Sequence, residues 1–374
     1  MTDYRFARPG EEDDILDLIN AVFSQKARPH DFARLIPKVY AHPGFSRFHA
    51  VAEADGRIRG TVAMLPIDIQ MGGAILRGGY IGSVAVHPRF QHQGHMRALM
   101  GMEEARAREL GLDFMALGGQ RQRYEYFGFT KAGLGFSFSV NTANVRHALK
   151  DAAPMKLEPF PENGPDLDAL YALYEAQPSR CLRPRELFYE TLCSYNSTPW
   201  AMRDESGELA GYLTAINDDV TELVLQDEAL LPGAIRAWME NRKGCTVHCP
   251  GWHVRRAAAL NAFAENCRAA DCQLIRVLNW ENTLSAALAF RRETAPLPEG
   301  RRVIRVENAG TFALEVRGSE TRVSPAGDQP DLCLKEKQAA SLFFSPMTLL
   351  TIHDDPLLRC WLPLPLDIPV ADEF

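Results

Sequence analysis

The chain has 374 residues, 24% charged and 46% hydrophobic, with a net charge of −7. That length is too great for one ordinary core and fits two or three domains of roughly 100 to 150 residues. The acidic balance without a basic block argues against nucleic acid or an anionic membrane as main partner, and the longest apolar runs fall short of the roughly 20 residues that span a bilayer.

The start, MTDYRFARPGEEDD, is acidic where a signal peptide is basic and then apolar, so a cytoplasmic protein is expected. DYRFARP predicts a strand. EEDDILDLINAVFS places Ile15, Leu16, Leu18, Ile19 and Phe23 on one side of a helix, and DFARLIPKVY suggests a second helix. FHAVAEADGRIRGTVAML reads as a hairpin turning at Asp55-Gly56, and GGYIGSVAV as a buried strand. Met96, Leu99, Met100, Ala107 and Leu110 keep helical spacing up to Gly111, a natural helix-terminating residue, and LDFMALGG supplies another strand.

A weak repeat follows. PWAMRDESGELAGYLTAI superposes on the first hairpin at an offset of 151, bringing Ala50 onto Ala201, Gly56 onto Gly207 and Gly60 onto Gly211. TELVLQD and EALLPGAIRAWMENRKG then read as strand and helix, without a glycine-centred polar turn between them. All eight cysteines lie beyond residue 180. Cys245, His248, Cys249 and His253 are the metal-like cluster, but GCTVHCPGWH reads as a strand and turn with reduced thiols, and no metal is expected. From about residue 298, VIRVENA, TFALEVRG and TRVSPA alternate like half-exposed strands, QAASLFF suggests a short helix, and WLPLPLDIPVADEF is a proline-punctuated tail.

The polar turn between GGYIGSVAV and its helix carries chemistry. A helix N-terminus presents free N–H groups and partial positive charge, which favour an anion. Gly94 permits close approach, Gln91, His92 and Gln93 can donate, and Arg97 adds a fixed charge suited to diphosphate. An ordinary strand-to-helix turn with solvated polar residues is the other reading of the same residues.

SVAVHPRFQHQGHMRALM resembles the acetyl-CoA signature of the Gcn5-related N-acetyltransferases (GNAT), with Gln91 and Gly94 matching the pattern and Met96 standing where the superfamily has Gly or Ala. RYEYFGF, about thirty residues on, is similar to the stretch carrying that superfamily's general-acid tyrosine, here Tyr124; packing beside Tyr126, Phe127 and Phe129 is its alternative role. More narrowly, the whole chain resembles the Eis-like acetyltransferases, with Gln91, His92 and Gln93 replacing their usual arginines.

The resemblance implies an α/β (α+β) fold: a catalytic GNAT domain over 1–148, a degenerate second copy over 149–296, and a sterol-carrier-protein-like α+β domain over 297–374. It implies acetyl-CoA held by Val84, Ala85, Val86, Gln91, His92, Gln93, Gly94, His95, Met96 and Arg97. It also implies Tyr124 as acid and the terminal carboxylate of Phe374 as proton acceptor, since positions 78–86 hold no Asp, Glu or His. A frayed end is the alternative for the tail. The expected activity is N-acetylation of a primary amine on a small or medium, polycationic molecule such as an aminoglycoside or a lysine side chain, by a homo-oligomer of the ring-like hexamer type. A catalytically degenerate scaffold holding an apolar ligand or lipid in the last domain is the rival reading. Phe23, His30 and Phe32 are candidate pocket residues.

Overall fold

The computed structural model describes residues 2–25, 29–347 and 354–374. In chain order its strands are β1 Asp3–Phe6, β2 His49–Ala54, β3 Arg57–Met71, β4 Ala74–Val86, β5 Phe114–Leu117, β6 Thr130–Ala132, β7 Gly135–Asn141, β8 Lys156–Pro159, β9 Ser179–Cys181 and β10 Thr198–Arg203. There follow β11 Leu209–Ile216, β12 Asp219–Leu225, β13 Gly244–Pro250, β14 Asn266–Ala270, β15 Gln273–Val277, β16 Gly300–Val306, β17 Gly310–Arg317, β18 Glu320–Pro325 and β19 Leu332–Leu334. Among the described residues they form three sheets: β1-β2-β3-β4-β5-β15-β6 with β9 on β3, then β14-β7-β13-β12-β11-β10-β8, and β18-β17-β16-β19. The fold is mixed α/β.

Local chemistry accounts for the first sheet. Asp55 and Gly56 both take positive φ, which lets a two-residue turn follow the strand twist and join β2 to β3. Period-two alternation then sorts side chains to two faces. Val51, Ala63 and Tyr80 pack with Ile15 and Ile19 of the Glu12–Ser24 helix. Ala50, Ala52, Val62, Met64 and Ile81 pack instead with Leu99, Met100 and Ala107 of the His95–Glu109 helix, which stops at Gly111 in the left-handed region. Each fully buried aliphatic contributes about 1.5–3 kcal/mol.

The stretch DFARLIPKVY is two short helices, Phe32–Leu35 and Pro37–Tyr40, rather than one. Pro37 has no N–H to continue the ladder and pushes Ile36 out of helical geometry, to φ −131 and ψ 65.

Hydrogen bonding crosses the expected boundary at residue 148 in both directions. β15, from late in the chain, inserts antiparallel between β5 and β6 of the first sheet. β7, from early in the chain, sits between β13 and β14 of the second. The second hairpin repeats the first, with Gly207 at positive φ in its turn and a bulge beside Gly211 as there is beside Gly60.

The second sheet encloses a core of its own, around Leu213, Val247, Ile235 and Trp238. Cys245 and Cys249 lie in it, and burial pushes both thiols up to about 12, which makes them inert packing groups. Among the described residues no group of three or more His, Cys, Asp or Glu is placed to hold a metal. The third sheet shares its core with the first through the Trp280–Thr294 helix, and the same cluster takes in Phe343, Phe344, Trp361 and the apolar residues of the tail. No helix among the described residues is long and apolar enough to cross a membrane.

Candidate functional site

The site begins where two parallel strands part. β4 pairs with β5 from Gly78↔Phe114 to Tyr80↔Ala116 and no further, because β5 ends at Leu117 and is followed by Gly118 and Gly119. On its other edge β4 is bulged against β3: Gly82 faces Ala63 and Ala85 faces Thr61, so Ser83 and Val84 together oppose Val62. Ser83 takes φ 48, costly for a residue with a Cβ, and the Tyr40 hydroxyl donates to its Oγ at 2.5 Å. The bulge bends β4 away from β5. From Ile81 to Val86 its β5-facing edge meets no strand among the described residues, leaving backbone groups free to bind an extended ligand.

A short 3₁₀ turn, Pro88–Phe90, separates β4 from the polar loop. Gln91, His92, Gln93 and Gly94 are all exposed, and His92 and Gly94 take φ 63 and 86. The His95–Glu109 helix then opens without a side-chain cap and without an acidic residue in its first turn; its first internal bond runs from the Ala98 N–H to the Gly94 carbonyl. The amides of His95, Met96 and Arg97 thus precede the first internal acceptor, at the positive end of the helix dipole. A Cβ on Gly94 would meet nothing within 4 Å, and exposed Arg97 has no ion-pair partner among the described residues. The amides at this end therefore have no acceptor within their own helix. The His95 side chain faces away from them: the ring is buried and its Nδ1 shares a 2.8 Å hydrogen bond with the Tyr4 hydroxyl, so only its backbone can serve an anion. Met96 packs on the core.

The chain's end occupies the gap between β4 and β5. Phe374 is buried, its ring stacked on Tyr40 with centroids 5.8 Å apart. A Cβ on Gly82 would lie 2.3 Å from the Phe374 terminal oxygen, so β4 admits the terminus only because residue 82 has no side chain. Phe23, His30 and Phe32 cluster, and Phe32 touches Tyr40 edge-on at 5.7 Å, one ring away from Phe374.

Three distant segments hold the tail. Lys38 donates from Nζ to the Ala371 carbonyl at 2.5 Å; burial lowers its pKa to about 8. Arg183 grips Asp372 through Nε and Nη2 at 2.9 and 2.7 Å, and Glu222 through Nη1 and Nη2 at 2.9 and 2.6 Å. Gln273 donates from Nε2 to the Glu373 carboxylate at 2.9 Å. Lys38, Arg183, Glu222 and Gln273 carry no motif; only their convergence on one tail marks them.

Tyr124 ends the short Arg121–Tyr124 helix, buried against Phe129, and burial raises its phenol above the ordinary range. A Cβ on Gly119 would lie 2.6 Å from its ring. The preceding Gly118 is bordered by the Glu373 carboxylate and the Tyr80 hydroxyl, 3.6 and 3.3 Å from where a Cβ would stand. Tyr124 and the tail therefore border consecutive residues at the end of β5. Two cavities open here. One, of about 420 Å³, is lined by Gly118, Gly119, Lys131 and Gln273; the other, of about 270 Å³, reaches Glu373, Asp367, Glu222 and Trp252.

Residues 3–132 match the family model described as an acetyltransferase (GNAT) domain. No curated protein matches the chain in sequence. Among solved structures, a GCN5-related N-acetyltransferase from Anabaena variabilis is similar at TM-score 0.68 and 18% identity, with 100% of both chains covered. Eis1 from Mycobacterium abscessus is similar at TM-score 0.67 and 15% identity, again over 100% of both chains. A probable N-acyltransferase from Enterococcus faecalis is similar at 0.69 and 13%, covering 99% of this chain and 98% of that one. Residues 3–132 are thus similar to a GNAT-type acetyltransferase domain, and the whole chain shares the fold of these solved structures.

Proposed function

We propose that the protein is an acetyl-CoA-dependent N-acetyltransferase acting on a primary amine of a small or medium, polycationic molecule. The observation that carries this reading is the parted β4–β5 pair beside an uncapped helix N-terminus, with the chain's own carboxylates seated in the gap. The residues present fit a coenzyme A ester. Val84, Ala85 and Val86 offer a free backbone edge to a pantetheine arm; the amides of His95, Met96 and Arg97, with the Arg97 guanidinium, suit a diphosphate, and Gln91, His92, Gln93 and Gly94 border it. When bound, this cosubstrate supplies a thioester acyl group and a thiol leaving group.

The chain's own residues supply proton handling and exclusion of water. Burial keeps the Tyr124 proton on Oη at neutral pH, available to a sulfur whose thiol pKa lies near 8 to 9. The tail orients the amine and supplies a carboxylate to take its proton; in the reading from sequence that carboxylate is the terminal group of Phe374. Asp271, Asp367 and Glu373 reach the smaller cavity, whose walls also carry Arg180 and Arg256, and the cationic acceptor is carried over from the reading from sequence.

Thiol release measured across an amine panel, with coenzyme A affinity by calorimetry, tests the proposal. Turnover of at least one amine is expected. Absence of both turnover and coenzyme A binding overturns it, and a co-purified lipid without coenzyme A affinity points to the scaffold reading instead.

A further inference from the structure

Resting on the acyltransferase reading with the terminal carboxylate as proton acceptor, we infer that Tyr40, set by a buried run of hydrogen bonds from His49, is a positioning residue that places the Phe374 carboxylate for the reaction. Neither Tyr40 nor His49 belongs to a motif, and both act through the last residue of the chain.

Four buried side chains from separate elements form the run. The Thr61 hydroxyl on β3 and His49 Nδ1 on β2 share a hydrogen bond of 2.8 Å, His49 Nε2 and the Tyr40 hydroxyl one of 3.3 Å, and that hydroxyl reaches Ser83 Oγ on β4 at 2.5 Å. The Thr61 hydroxyl also lies 3.2 Å from the Ala50 carbonyl. A neutral imidazole has one donor and one acceptor nitrogen, and both are used here. Burial pushes the His49 ring down to about 3, so it stays uncharged at neutral pH.

Packing alone does not call for these groups. Apolar residues of like shape would fill the same space without a desolvation cost, whereas a satisfied polar network fixes one arrangement. What it fixes is the Tyr40 ring. Tyr40 ends the four-residue Pro37–Tyr40 helix, which is too short to be stable by itself, so its side chains are held by what they touch. Phe32 and Phe45 meet the ring edge-on at 5.7 and 4.9 Å, and three adjacent strands, through Ser83, His49 and Thr61, fix its hydroxyl.

That ring is the surface on which the terminus lies. The Phe374 ring stacks on it at 5.8 Å with the two planes 24° apart. The same short helix carries Lys38, whose Nζ donates to the Ala371 carbonyl, so one turn of chain meets the tail twice. At the far end of the run, Ser83 follows Gly82, against which the terminal oxygen rests. Tyr40 therefore meets the last residue with its ring and the strand beside the carboxylate with its hydroxyl. Loss of the hydroxyl frees the ring to tilt and carries the carboxylate with it, and a misplacement of about 1 Å costs about 10²-fold in rate.

The test uses the full-length protein and the best amine of the panel. Tyr40→Phe keeps the stacked ring and deletes the hydroxyl: turnover is expected to fall about 10–10²-fold, with coenzyme A affinity and the KM for the amine within about twofold of wild type. His49→Leu should lose as much, and His49→Gln, which returns a polar atom beside the Tyr40 hydroxyl, should recover most of it. Phe374→Leu keeps the terminal carboxylate and removes the ring that lies on Tyr40. Combined with Tyr40→Phe, it should lose no more than the larger single loss, because both substitutions disturb one contact. Losses that multiply in the double variant, or wild-type turnover in Tyr40→Phe, overturn the inference and leave the acyltransferase reading intact. If the wild type turns over no amine and does not bind coenzyme A, that reading falls and the inference with it.

Discussion

Arg183 holds Asp372 with two hydrogen bonds, 2.9 and 2.7 Å, two residues before the end of the chain, while its remaining donors bind Glu222 on β12. The guanidinium is buried and lies 4.1 Å from the centre of the Tyr174 ring. A terminus, usually the least ordered part of a protein, is here tied to the second sheet and inserted into the first.

Arg183→Gln leaves two carboxylates buried without a cation. An unfolding free energy lower by about 3–5 kcal/mol is expected, read as a fall in urea midpoint at constant m-value. Carboxypeptidase should then release Phe374 faster than from wild type. Unchanged release would show that the clamp does not restrain the tail.

Gly82→Ala places a methyl group 2.3 Å from the Phe374 oxygen. Since β4 cannot yield without breaking its pairing with β3, the terminus must withdraw. Turnover should fall about tenfold or more with coenzyme A affinity nearly unchanged, and steady-state kinetics with calorimetry decides it.

Arg97→Ala removes the exposed cation from the first helical turn. Coenzyme A should bind about tenfold more weakly, a loss of about 1.4 kcal/mol, with a shallower salt dependence. Affinity measured at two ionic strengths gives the answer; an unaltered value at both would remove the diphosphate from this helix end.

Tyr124→Phe keeps the buried ring and deletes its proton. Turnover should drop about 10²–10³-fold while coenzyme A affinity and thermal stability hold, and equal activity would return Tyr124 to a packing role.

Burial raises Glu373 from 4.5 to about 7 in the folded chain. The folded state then binds more protons than the unfolded state between those values, so this group's contribution is fully present below pH 4.5 and lost as pH rises through 7. Wild-type stability relative to Glu373→Gln should decline by up to about 3 kcal/mol across that window. Denaturation of both proteins at several pH values measures it, and a flat difference would place Glu373 in water.

What could be read locally from the residues was whatever depends on neighbours in the chain. The Asp55-Gly56 turn, the alternation along β2 to β4, the helix ending at Gly111 and the exposed glycine-centred loop all arise from backbone sterics and short-range periodicity. DFARLIPKVY was misleading because apolar spacing masked the break that Pro37 imposes. His95 gave no sign that its ring would turn toward Tyr4, since helix spacing does not say which side a first-turn residue presents.

The amino-acid sequence by itself determined the first hairpin, the buried strand β4 and the helix that follows it, and it put forward the polar loop and Tyr124 as candidates. Only the tertiary structure decided that β7 and β15 change places between sheets, that the tail threads into the gap beyond Tyr80, and that Lys38, Arg183 and Gln273 hold it there. The reason is physical: strand partners and buried ion pairs separated by a hundred residues or more are selected by the summed packing of the whole chain, and no local pattern encodes that sum.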